Sequence, residues 1–288
     1  MDQTRLETIL ADLSLGAVRF FDRVGSTNDE AVQWAAQGAP DLALIVADEQ
    51  TQGRGRAGRH WYTPRGTALA FSIVVYPTLE DSGSVSRMTA LGALAVCDAL
   101  KNRYHLPAKI KWPNDVLVDE KKVAGVLVEA QWTGEQLGAL ILGIGINVAP
   151  VSVETALASE PMLRFPSTCV ESVLGHSVDR QELLYTVLSG ILRWRSRLVA
   201  PDFLRAWEAN LAYRDEWVQV IPNSGTSELL HNDGKAPSPI QEGQVIGLSK
   251  DGSLKLRTRS GEIIALQYGE VRLRPAKKTK AEEESNVR

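Results

Sequence analysis

The run Gly53-Arg54-Gly55-Arg56-Ala57-Gly58-Arg59 and its two flanks limit the fold more than any other feature. An apolar stretch, Leu42–Ala47, delivers the chain into it as a buried strand. Gly53-x-Gly55-x-x-Gly58 satisfies the dinucleotide-binding pattern. That fingerprint must open a helix whose N-terminus receives a pyrophosphate. Here the glycines lead into Trp61-Tyr62-Thr63-Pro64-Arg65-Gly66 and then into a second strand over 68–75. Arg54 and Arg56 also crowd the place where backbone should meet phosphate. A Rossmann sheet is therefore rejected, and no phosphate loop ending in Gly-Lys-Ser/Thr occurs. The segment reads as strand, loop, strand. Its bland reading is a solvated basic surface loop. Its functional reading is a loop that orders on an anion, with Arg54, Arg56 and Arg59 as forked donors. Trp61 favours the second, because an aromatic face beside arginines gives a ring or aliphatic chain something to pack on.

The rest of the chain makes this basic loop a local exception. Against 32 Lys and Arg stand 35 Asp and Glu, for a formal net charge of -3 over 288 residues. That balance argues against a global nucleic-acid or membrane footprint. Cys97 and Cys169 match no zinc or redox spacing, and Cys97 reads as core within the apolar run 91–100. The histidines at 60, 105, 176 and 231 are scattered, so no metal site built from a protein motif is expected. The N-terminus lacks the order of a signal peptide, and no run approaches membrane-spanning length. A cytoplasmic protein is the default expectation.

Hydrophobic periodicity predicts helices over 4–13, 84–104, 179–198 and 201–210. A further helix starts at Thr27, read as the cap of a capping box with Glu30, and runs to about Gln37. Strands are expected at 20–21, 42–47, 68–75, 109–112, 122–129 and 137–146, the last two joined by a turn at 132–135. Residues 150–178 read as irregular. After Tyr213 come short strands at 216–221, 244–249, 253–258, 262–266 and 270–274. These argue a small β-barrel or sandwich, with 222–239 as a loop inside it. The charged segment 276–288 reads as a disordered tail. The fold class is α+β: a mixed sheet with helices over 1–212, then a small β-domain over 213–275.

Three more segments carry candidate chemistry. Lys111-Trp112-Pro113-Asn114-Asp115 ends a strand, placing Asn114 and Asp115 in a turn. An Asn amide can both donate to and accept from a purine edge, although a plain Pro-Asn-Asp turn explains the same residues. Lys122 enters the apolar strand 123–128, either snorkelling or aimed at an anion, and Gly125 allows close approach. Gly143 and Gly145 face one side of a strand and clear a flat backbone surface, with Asn147 just beyond. A bend or close helix packing would also explain them. Each group lies at a strand end, and that coincidence favours a shared site.

Together these segments resemble the biotin–protein ligases. The resemblance covers roughly 18–275. It rests on Ser26-Thr27-Asn28, on Gln50-x-x-Gly53-Arg54-Gly55-Arg56-x-Gly58-Arg59-x-Trp61, on Lys111 to Asp115, on Lys122-x-Ala124-Gly125, and on Gly143-x-Gly145-Ile146-Asn147. It implies a biotin/lipoate ligase-like catalytic core and a C-terminal barrel of SH3-like form. It further implies that Ser26, Thr27, Asn28 and Gln50 surround biotin's ureido ring, with Gly53, Gly55, Gly125 and Gly145 shaping the pocket. Arg54, Arg56 and Lys122 would lie at the junction of the biotin carboxylate and the α-phosphate. Arg59, Trp61, Lys111, Asn114 and Asn147 would complete the nucleotide side. Arg56, Lys111, Asp115 and Lys122 are the catalytic candidates, Asp115 to accept or orient the proton of the attacking lysine.

The implied substrates are ATP and biotin, with Mg2+ shielding the phosphates, and the implied partner is a biotin carboxyl carrier domain. Oligomeric state, monomer or homodimer, stays open. Some members carry an N-terminal DNA-binding domain. Only about 25 residues precede Ser26 here, so no repressor function is expected. Two rivals remain: a lipoate or octanoate ligase, and a non-catalytic regulator that binds biotinyl-adenylate. The polar set at 26–28 and 50 favours a ureido ring over the first. Retention of Lys111, Asp115 and Lys122 speaks against the second.

Overall fold

The structure is a computed structural model that describes residues 1–77, 85–159, 165–222, 241–267 and 271–275. The chain divides into two compact units, Met1–Asn210 and Leu211–Arg288. The first unit is mixed α+β. Its strands are β1 (Ala17–Phe21), β2 (Ala43–Ala47), β3 (Ala68–Val75), β4 (Lys109–Lys111), β5 (Asp115–Val118), β6 (Lys121–Thr133) and β7 (Gln136–Asn147). They form one seven-stranded sheet in the order β1-β2-β3-β7-β6-β5-β4. β1 is parallel to β2, and every other neighbouring pair is antiparallel. The helices are α1 (Gln3–Ile9), α2 (Thr27–Ala36), α3 (Val85–Tyr104), α4 (Pro150–Ser159), α5 (Val170–Leu174), α6 (Arg180–Arg195) and α7 (Pro201–Ala209).

The two faces of this sheet are covered unequally, and that creates the site. Paired residues in neighbouring strands share a face. On one face Val126, Leu142 and Ile144 press on α3 so closely that a Cβ at Gly92 would lie 3.0–3.1 Å from their side chains. α6 packs behind α3, where a Cβ at Gly190 would lie 3.2 Å from that of Ala95. On the other face α2 covers only one end, burying Ala31 with Ala43, Ile45, Val74 and Ile141. Beyond α2 the same face carries two transverse rows with little bulk. One runs Ala47, Ala70, Gly145, Gly125, Asp115, Lys111, and the next runs Ile45, Ser72, Gly143, Leu127.

A register shift in the β5–β6 pair, between Val116 and Leu117, adds to this face. In regular alternation Lys122, three residues before Gly125, points to the opposite side. The extra residue of the bulge, opposite the Val116–Leu117 step, turns it to the side of Gly125 and Asp115.

Several expectations are corrected. Thr27 does not cap α2; the N-cap residue is Ser26, extended at φ -152, and it makes no side-chain capping bond. Asp115 does not sit in the turn but opens β5, a strand the proline motif concealed. The stretch 150–178 contains α4 and α5. Pro150 stands in the first turn of α4, where a missing N–H costs nothing. α1 ends at Ile9. Asp179 caps α6, accepting from the N–H groups of Gln181 and Glu182. Cys97 is core, fully buried.

In the second unit β8 (Trp217–Pro222), β9 (Gln241–Leu248), β10 (Leu254–Arg257), β11 (Ile263–Leu266) and β12 (Val271–Pro275) form a sheet ordered β11-β10-β9-β8-β12. All five expected strands are present. Of the expected loop 222–239, Pro222 ends β8 instead, and 223–239 lie outside the described residues, as does the charged tail from 276. Among the described residues no helix is long and apolar enough to cross a membrane.

Candidate active site

The Arg-Gly loop folds back on itself and lays Trp61 on the bare part of the sheet. Trp61 N–H donates to Gly53 O at 2.8 Å, and Gly55 N–H to Arg59 O at 2.7 Å. Ala57 and Gly58 take left-handed conformations at φ 55 and 69, which tightens the tip. A Cβ at Gly145 would overlap the Trp61 indole, and one at Gly143 would overlap Asn28 Oδ1. At Gly125 it would come within 3.1 Å of Lys122 Nζ and 3.3 Å of Trp61 Cζ3. The flat glycine surface expected from the sequence exists, and Asn28 and Trp61 rest on it.

A polar pocket lies at the α2 end of this floor. Gln50 Oε1 accepts from the Thr27 N–H at 2.8 Å, and Gln50 Nε2 donates to Thr63 Oγ1 at 3.1 Å. Asn28 Nδ2 donates to Glu129 at 2.6 Å. The same Glu129 oxygen meets Arg54 at 2.9 Å, and Arg54 also pairs with Asp29 at 2.6 Å. Pocket and loop thus share a carboxylate.

Cations gather at the other end. Asp115 is buried between Lys122 Nζ at 2.5 Å and Lys111 Nζ at 3.8 Å. Burial alone pushes the Asp115 carboxyl up, but the charges of Lys122, Lys111 and Arg59 and the Lys122 hydrogen bond outweigh it. They hold the group below the usual carboxylate range. Phe165 stacks on Lys111, with Nζ 3.7 Å from the ring centroid. Pro166 O accepts from the Lys122 N–H at 2.8 Å, and Thr168 N–H donates to Lys122 O at 2.9 Å. Arg56 donates to Asn114 Oδ1 at 3.0 Å, while Asn114 Nδ2 donates to Val126 O at 3.0 Å.

One cleft of about 600 Å³, open to solvent, joins the two ends. It is lined by Ser26, Thr27, Asn28, Gln50, Arg54, Gly55, Arg56, Arg59, Trp61, Asn114, Lys122, Gly125 and Gly145, among other residues. Four further candidates stand behind that lining. Gly53 holds Trp61 by its carbonyl, Lys111 and Asp115 underlie Lys122, and Asn147 Nδ2 donates to Thr168 O at 3.1 Å. Sequence reasoning missed Glu129, Asp29, Ser72 and the segment 165–168. Glu129 alone left a signal, since it alternates with Gly125 and Leu127 on one strand face.

Among the described residues no group of three His, Cys, Asp or Glu side chains could hold a metal ion. Magnesium, in its usual mode, is held by water and substrate phosphates with only one or two carboxylates. The protein's own neutralising charges are Lys111, Lys122 and the loop arginines.

Comparison with known proteins places this arrangement. Residues 20–147 match the profile of the Biotin/lipoate A/B protein ligase family. The biotin--[acetyl-CoA-carboxylase] ligase of Paracoccus denitrificans is 34% identical over 244 residues, 83% of this chain and 93% of that one. The chain belongs to the biotin–protein ligase family. Among solved structures, the biotin protein ligase of Aquifex aeolicus in complex with biotin and ATP superimposes with a TM-score of 0.70. It is 29% identical, and the match covers 90% of this chain and 99% of that one. The bifunctional ligase/repressor of Escherichia coli is 26% identical over 94% of this chain and 78% of its own. The segments that carry the resemblance gather around the open part of that face, with Ser26-Thr27-Asn28 at the start of α2.

Proposed function

We propose that this protein is an ATP-dependent ligase that joins biotin to a lysine of a biotin carboxyl carrier domain. The observation that carries the reading is one cleft with a polar pocket at one end and, at the other, half-buried Lys122 backed by buried Lys111. Those ends suit a cyclic urea and a phosphate. The Paracoccus relative is named for this reaction, and the Aquifex structure holds both biotin and ATP.

In the first step a biotin carboxylate oxygen attacks the α-phosphorus of ATP, and pyrophosphate leaves with the electrons of the broken P–O bond. In the second, the carrier amine attacks the mixed anhydride and an amide forms. AMP departs, and one proton is released. Neither step calls for an enzyme nucleophile, so positioning and charge neutralisation carry the catalysis. Thr27, Asn28 and Gln50 seat the ring, and Ser26 closes its edge. Arg54, Arg56 and Lys122 face the carboxylate–phosphate junction, and Lys111 supports them. Trp61 covers the adenylate, Arg59 closes the loop, and Asn114 and Asn147 border the nucleotide.

Asp115 acts by position. A carboxylate held low between two lysines is a weak base, but it fixes Lys122 where the phosphate forms. The five C-terminal strands are assigned to an SH3-like barrel, with the catalytic core ahead of it, and the workplace is the cytoplasm.

Isotope exchange between pyrophosphate and ATP tests the first step without a carrier. Exchange that requires biotin supports the reading. Exchange with lipoate and not with biotin replaces it.

A further inference from the structure

The protons of the polar pocket can be counted, and the count does not close. Gln50 Oε1 faces the Thr27 N–H, which fixes that oxygen as an acceptor. Asn28 faces Glu129 at 2.6 Å, and only a donor can face a carboxylate. Nδ2 of Asn28 therefore points to Glu129, and Oδ1 points to Ser72. Three oxygen–oxygen contacts remain. Asn28 Oδ1 to Ser72 Oγ is 2.6 Å, Ser72 Oγ to Thr27 Oγ1 is 2.8 Å, and Thr27 Oγ1 to Gln50 Oε1 is 3.0 Å. Both ends of this relay are acceptors, and each hydroxyl between them carries a single proton. Two protons serve three contacts, so the relay is one donor short. Thr27 and Gln50 line the cleft, where a ligand can supply that donor.

Turning Asn28 over would close the count. Its Nδ2 would donate to Ser72, Ser72 to Thr27, and Thr27 to Gln50. The amide oxygen would then need a donor where Glu129 stands, and a carboxylate has none to give.

We propose that Glu129 is a specificity-determining positioning residue: by orienting Asn28 it keeps the pocket acceptor-rich, so that the cleft selects a ring bearing its own N–H donors. A cyclic urea meets this need, and a dithiolane ring does not. The inference rests on the ligase reading and names the residue that sets its substrate choice. Glutamine at 129 would supply the missing donor, let Asn28 turn, and leave the relay satisfied without a ligand.

The test measures pyrophosphate exchange with biotin and with lipoate for the wild type, Glu129→Gln and Ser72→Ala. Ser72→Ala cuts the relay between Asn28 and Thr27 without touching Arg54, the other partner of Glu129. Both substitutions should lower the biotin-to-lipoate ratio of kcat/KM by about 10-fold or more, because discrimination by unpaired polar groups is large. The loss should lie in KM for biotin, with KM for ATP within about twofold of the wild type. A wild type that activates no biotin overturns the ligase reading itself. A biotin-selective wild type whose ratio survives Glu129→Gln overturns only this inference. So does loss of the ratio in Glu129→Gln but not in Ser72→Ala, which would route the effect through Arg54. If Glu129→Gln does not fold, Ser72→Ala decides alone.

Discussion

Gly125 stands directly opposite Gly145 on the β6–β7 ladder, and the Trp61 indole lies against both. Glycine in a strand interior normally weakens the sheet, since it packs nothing and loses the most freedom on folding. Here two facing glycines, with Gly143 beside them and Ala70 and Ser72 on the next strand, open a floor in the sheet. The aromatic ring comes from a loop distant in sequence.

Filling that floor should block the site while the core stays intact. Gly145→Val places side-chain atoms where the indole lies, a kind of overpacking that costs about 1–3 kcal/mol. KM for biotin in the exchange assay should rise about 10-fold or more, with the far-ultraviolet circular dichroism unchanged. Unchanged kinetics would mean that the seat of the indole on Gly145 does not shape the cleft.

Asp115→Asn leaves Lys111 and Lys122 side by side without their shared counter-charge. Removing one partner of a buried ion pair costs about 3–5 kcal/mol. Urea unfolding should show a loss of this size, and transfer from preformed adenylate should slow. Transfer at the wild-type rate would remove Asp115 from the chemistry.

The same group sets an acid limit. Its folded value lies below the ordinary carboxylate range, so the stability it contributes is complete above the unfolded value of about 3.9. That contribution drains away as pH falls through the folded value. Melting temperatures measured from pH 6 down to pH 3 should fall more steeply for the wild type than for Asp115→Asn. Parallel curves would contradict the assignment.

Burial pushes the Cys97 thiol up to about 12, so almost no thiolate exists in the folded protein at pH 8. A thiol-specific aromatic disulfide should label Cys97 only as fast as the protein unfolds, and urea should accelerate the labelling. Rapid labelling without denaturant would contradict a buried thiol.

Phe165 and Lys111 give a milder prediction. Phe165→Leu keeps most of the volume but removes the ring over Nζ, a contact worth about 0.5–2 kcal/mol. Exchange should slow several-fold with biotin affinity unchanged. A rise in KM for biotin instead would place Phe165 at the wrong end of the cleft.

Strands β2, β3, β6 and β7 were legible from their apolar runs, and helices α3 and α6 from apolar residues recurring at helical spacing. The candidate residues were legible because glycine, arginine and lysine are unusual at the ends of such runs. What escaped depended on geometry that no local pattern encodes. The bulge that turns Lys122 toward Asp115 is a matter of pairing register. β5 hid behind Pro113-Asn114, which reads as a stop, and α4 hid in a stretch of Val and Ser. Thr27 carried a capping-box signal with Glu30, yet its hydroxyl serves Gln50 and Ser72 instead, and Ser26 stands at the N-cap. Tertiary partners outbid the local rule there.

The central claim is tested most directly by incubating the protein with ATP, Mg2+, biotin and a biotin carboxyl carrier domain, then weighing the carrier by mass spectrometry. The account predicts a gain of one biotinyl group, lost when the carrier's acceptor lysine is replaced by arginine, with AMP and pyrophosphate released. An unmodified carrier beside an intact biotin–pyrophosphate exchange would contradict it, leaving a protein that makes the adenylate and does not pass it on.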